Sequence, residues 1–116
     1  MKWGEPTSCA NASEWHAWLI ANHDSASEVF LLVLKDKSSG AGIRYGEAVE
    51  EALCFGWIDG IARRFDDDFS LNRFTPRRPK SNWSASNRER VKRLLAAGRV
   101  HDAGLSALPD DLKNDP

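Results

Sequence analysis

The chain has 116 residues, 41% of them hydrophobic and 28% charged, with a formal net charge of −1. That length suffices for one globular domain with a modest core and no cross-links. No apolar run approaches the roughly 20 residues of a bilayer span or the pattern of a secretion signal, and the two cysteines are too few for a disulfide framework. The expectation is a cytoplasmic protein with no membrane partner, in which Cys9 and Cys54 stay reduced.

Residues 1–12, with Gly4 and Pro6, read as a loose lead-in. A helix is predicted from Ser13 to Asn22, capped by Asn11 with Glu14 or by Ser13, with Trp15, Trp18 and Leu19 on one face. The continuously apolar Val29–Leu34 reads as a strand covered on both faces, and Asp36–Gly42 as a loop. Tyr45, Ala48, Val49, Ala52 and Leu53 make a helical stripe over 45–55, which Gly56 stops. Cys54 lies in that apolar helix and reads as a small buried hydrophobe.

Trp57–Phe65 and Phe69–Phe74 read as two strands joined by the turn Asp66-Asp67-Asp68. Pro76 and Pro79 force an extended passage. Ser84 or Ser86 caps a third helix through Ala97, with Val91, Leu94 and Leu95 inward and Gly98 as its stop. Residues 106–116 read as a polar, frayed tail after a domain spanning 13–105. The expected class is α+β, a small antiparallel sheet (a hairpin plus one further strand) packed by about three helices.

One run is distinctive: Glu51-Ala-Leu-Cys-Phe-Gly-Trp-Ile-Asp-Gly60, then Arg73-Phe-Thr-Pro-Arg-Arg-Pro-Lys-Ser-Asn-Trp-Ser84, then Asn87, Gly98-Arg-Val100 and Ala103-Gly-Leu105. It resembles the YdeI/OmpD-associated family, also described as bacteriocin-protection proteins, over roughly Trp15 to Leu105. The resemblance implies a role in bacterial resistance to stress or bacteriocins, and neither a cofactor nor catalytic residues. Two departures stand out. Arg44 occupies a helix-cap position where those relatives carry a Thr-like residue. The chain stops after Pro109-Asp-Asp-Leu112, which reads as the opening of a further helical segment, so a short form is expected.

Charge is segregated along the chain. Residues 1–60 hold four Lys or Arg against nine Asp or Glu, residues 61–100 hold eleven against four, and residues 101–116 hold one against four. The basic middle is interleaved with aromatics, and guanidinium forks beside exposed rings suit phosphates and bases. Arg73, Arg77, Arg78 and Lys80, with Trp83 and Arg88 as secondary contacts, are therefore candidates for a nucleic acid or other polyanion. The competing reading makes these residues structural, with Glu89 and Arg93 as an ordinary helical pair, and the domain a protein-interaction module in envelope or bacteriocin stress; a third reading has the basic residues meet an acidic protein surface.

A three-residue Asp66–Asp68 turn sets Phe65 opposite Phe69, Arg63 opposite Leu71 and Ile61 opposite Arg73. Asp59 then lies one diagonal step from Arg73 on the same face, and an Asp59–Arg73 ion pair is expected to fix the register. The aspartate run lacks the spacing of a calcium loop, and His16, His23 and His101 lack zinc-ligand spacing, so no metal is expected. No Ser or Cys stands near a His and a carboxylate in sequence, and Gly40-Ala41-Gly42 lacks the lysine of a phosphate loop. The function expected is non-enzymatic binding; an enzyme would need a pocket near Trp57, Asp59, Arg73 and Arg77.

Overall fold

The computed structural model describes residues 2–78 and 81–113. The elements are β1 (Pro6–Thr7), α1 (Ala12–Asn22), β2 (Val29–Leu34), α2 (Tyr45–Cys54), β3 (Trp57–Arg64), β4 (Phe69–Pro76), α3 (Ala85–Ala96), α4 (Asp102–Ser106) and α5 (Asp110–Lys113). Four strands form one sheet in the order β1-β2-β4-β3. The hairpin and β2 are antiparallel, as expected, and the lead-in adds β1 parallel to β2. The class is α+β. No helix of the described residues is long and apolar enough to cross a membrane.

Directly opposed residues share a sheet face, so the register sorts the two sides. Val29, Leu31 and Val33 lie with Phe74, Asn72 and Ser70 on the side packed by α1 and α2. There Trp15 and Leu19 are fully buried, and the Trp15 ring meets Phe74 at 5.2 Å between centroids. The indole N–H of Trp15 donates to Ala48 O at 3.0 Å, so burying that ring leaves no orphan donor. The opposite side buries Phe30, Leu34 and Leu71, with Trp3 of the lead-in packed against Phe30.

Capping follows the local sequence. Asn11 Oδ1 accepts from the Glu14 N–H, and Glu14 Oε1 accepts from the Ala10 N–H. Ser84 Oγ accepts from the Asn87 N–H at 3.1 Å. At α2 the cap residue is Arg44, which has no side-chain acceptor. Its guanidinium instead ties down the preceding loop by donating to the carbonyls of Lys35, Asp36 and Ser38. The Asp66 carboxylate accepts from the Asp68 and Phe69 N–H groups, which shapes the hairpin turn.

The tail is a departure. Leu108 and Leu112 are both buried at 6% exposure and join Val91 in a second small cluster. Their i, i+4 spacing gives one apolar edge, which docks on α3 rather than fraying. Residues 114–116 lie outside the described residues.

Candidate functional site

The corner between α2 and β3 builds the candidate site. Gly56 ends the helix at φ 74°, and its carbonyl accepts from the Arg77 N–H at 2.8 Å. The end of β4 is thereby fastened beside the corner. From the other side α4 presses in closely: the Cys54 carbonyl accepts from the His101 N–H at 2.9 Å. A Cβ on Gly104 would stand 2.4 Å from that same oxygen. Between them opens a cleft of about 570 Å³, lined by Phe55, Trp57, Pro76, Ala107 and Leu108 together with Arg77, Arg78, Ser81 and Trp83.

Arg77 dominates this cleft chemically. Its guanidinium carbon lies 3.9 Å from the Trp83 ring centroid, and Nη2 donates to the Asn82 carbonyl at 2.8 Å. Nε and Nη1 are buried and have no hydrogen-bond partner among the described residues. Burial pushes the Arg77 pKa down, opposed by the field of Asp59. A charge removed from water with two of its three nitrogens unpartnered is costly, and an anion would relieve that cost with charge-assisted bonds.

The other sequence candidates separate. Arg73 Nε donates to Glu28 Oε1 at 2.9 Å. Arg88 pairs with Asp111 of α5. Arg93 reaches Glu50 at 3.6 Å, and Arg99 reaches Glu51 at 2.9 Å. Glu89 meets Lys92 at 3.6 Å rather than Arg93. Arg78 is exposed at the cleft rim beside Arg77, while Lys80 lies outside the described residues. Of the five proposed binding residues that are described, Arg77, Arg78 and Trp83 are thus brought together at the cleft. Arg73 and Arg88 are held elsewhere by carboxylates.

The expected Asp59–Arg73 ion pair does not form. The register matches the expectation from Ala62–Asn72 through Arg64–Ser70, then shifts by one residue between Ala62 and Asp59, so Asp59 stands opposite Phe74. One extra residue in a strand reverses the face of everything beyond it. Asp59 is carried to the helix-covered side and accepts from the Tyr45 hydroxyl at 2.7 Å. Asp59 and Arg73 do not line the cleft, whereas Trp57 and Arg77 do.

Sequence reasoning missed a charged network behind the cleft. Glu51, 9% exposed, accepts from His16 Nδ1 at 2.8 Å and from Arg99 Nη2 at 2.9 Å. All three histidines of the chain also gather on the Phe55 ring, at centroid distances of 5.3 Å for His16, 5.2 Å for His23 and 4.2 Å for His101. The charge of Glu51 beside an apolar helical stripe was a legible signal; the convergence of three distant histidines was not. Among the described residues no group of three or more His, Cys, Asp or Glu is placed to hold a metal ion. Cys9 and Cys54 are free and buried. Burial, with the field of Glu51, pushes the Cys54 thiol up to about 11, which makes it a poor nucleophile.

No curated protein and no solved structure matches the chain. A family model described as "Domain of unknown function (DUF8412)" matches residues 7–107. That span runs from β1 through α4 and takes in both walls of the Gly56 corner. On that match, the chain belongs to the domain family of unknown function DUF8412.

Proposed function

We propose that this protein is a non-catalytic binding domain that receives an anionic group at the Arg77 end of the cleft. The observation that carries this reading is a buried guanidinium with Nε and Nη1 unpartnered among the described residues, on the wall of a concave site. Arg78 at the rim adds a second positive charge, and the Asn82 carbonyl is a neutral acceptor that an anion can replace. The resemblance to the YdeI/OmpD-associated family supplies a setting for this role, bacterial resistance to stress or bacteriocins.

A continuous polyanion track over residues 73–99 has less support, because Arg73, Arg88, Arg93 and Arg99 already meet carboxylates. Those same pairs favour the second reading, a protein-interaction domain with structural arginines. Titration with pyrophosphate and with a single-stranded oligonucleotide, followed by tryptophan fluorescence at low and high salt, separates the two. Anion binding that weakens with salt and falls about tenfold or more in Arg77→Gln, but not in Arg88→Gln, is the expected result. Absence of salt-sensitive binding at micromolar protein removes the proposal and leaves the second reading.

A further inference from the structure

Resting on that reading of Arg77, we infer that the cleft takes a small amphipathic acid: one anionic group carried on an apolar body of one or two rings. The cavity volume of about 570 Å³ lies in the range of small-molecule sites. Beyond Arg77 its walls are chiefly apolar, formed by Phe55, Trp57, Pro76, Leu108 and Pro109. A ligand whose only interaction was charge would leave those walls uncovered.

The distribution of charge argues for one anionic group rather than many. Arg77 is the guanidinium whose buried donors lack partners among the described residues, and Arg78 is exposed to water. Lys113, the other cation of the lining besides Arg78, stands 3.9 Å from Asp110. Asp24 and Asp110 both border the cleft, so the later phosphates of a polymer would meet carboxylates and hydrocarbon. A single carboxylate or phosphate can replace the Asn82 carbonyl on Nη2 while the rest of the ligand covers the Trp57 and Phe55 wall. Apolar burial and the charge-assisted bond then act on one molecule.

The test compares phenyl phosphate, inorganic phosphate, phenol and a single-stranded oligonucleotide, read by the indole N–H resonances of Trp57 and Trp83. Phenyl phosphate is expected to bind at least about tenfold more tightly than inorganic phosphate and than phenol. Arg77→Gln should abolish the advantage over phenol. Ser106→Phe, an exposed position on the apolar side, should weaken phenyl phosphate more than inorganic phosphate. Equal, Arg77-dependent affinity for the two phosphates overturns the inference and leaves the anion-binding reading standing. An oligonucleotide that binds more tightly than phenyl phosphate overturns it in favour of a polymer. Failure of every anion to bind overturns both.

Discussion

The phenol of Tyr45 donates to Asp59 Oδ2 at 2.7 Å, joining the first turn of α2 to the middle of β3. The hairpin bulge makes this contact possible, since without the one-residue shift Asp59 would lie on the Arg73 side of the sheet. Burial first, then the hydrogen bond to Asp59 and its negative field, raise the Tyr45 pKa to about 12, with Arg90 opposing.

Tyr45 is the only tyrosine in the chain, so tyrosinate absorbance reports it alone. The native protein should titrate near pH 12, as against roughly 10 for an unperturbed phenol. Between those values the unfolded chain has lost a proton that the folded one keeps, so stability falls as pH rises through the window. Asp59→Asn should move the midpoint back toward the ordinary value. A native midpoint at the ordinary value would show that the contact does not form in solution.

Arg77 should oppose folding while serving binding. Replacing a largely buried cation, one of whose three nitrogens is partnered, by an apolar chain of similar length is often stabilising. Arg77→Met should therefore raise the urea-unfolding free energy by about 1 kcal/mol while abolishing the anion response. A loss of more than about 1 kcal/mol would mean that the Trp83 stacking and the Asn82 bond outweigh the buried charge.

Glu51 should matter more than any exposed ion pair. Its side chain is 11% exposed and holds His16 and Arg99 together, so it links α1, α2 and the segment leading to α4. Glu51→Ala should destabilise by about 2 kcal/mol, because it leaves both donors without their shared acceptor. Glu89→Ala, which removes only an exposed helical pair, should stay within about 0.5 kcal/mol of the parent. Equal effects in chemical denaturation would refute the assigned hierarchy.

Gly104 is a steric test of the cleft wall. A Cβ there would stand 2.4 Å from the Cys54 oxygen and 2.7 Å from Val100 Cγ1. Gly104→Ala should cost at least about 2 kcal/mol and shift the Phe55 and Trp57 resonances, because α4 must move away from the corner. Gly46→Ala, in α2 with open space around its added methyl, should instead gain a few tenths of a kcal/mol to about 1 kcal/mol.

Much of the architecture was legible because its causes are local. The helical stripes, the Asn11 and Ser84 caps, the Gly56 and Gly98 stops and the Asp66 turn each depend on residues within a few positions. The lead-in and the tail were less legible. β1 is only two residues long, and the Leu108–Leu112 edge is too short to read as a helix without its neighbour Val91.

The candidate site divided along the same line. Composition alone identified the stretch that supplies Arg77, Arg78 and Trp83, since a basic and aromatic concentration is visible without coordinates. Which of its cations are neutralised was decided by tertiary structure. Glu28, Asp111 and Glu51 lie 45, 23 and 48 residues from Arg73, Arg88 and Arg99, and no periodicity couples such distances. The Asp59 face turned on one bulge residue, which no turn rule predicts. Sequence determined what charges this protein carries; packing determined that Arg77 keeps Nε and Nη1 unpartnered, because they are buried where no acceptor lies within bonding distance among the described residues.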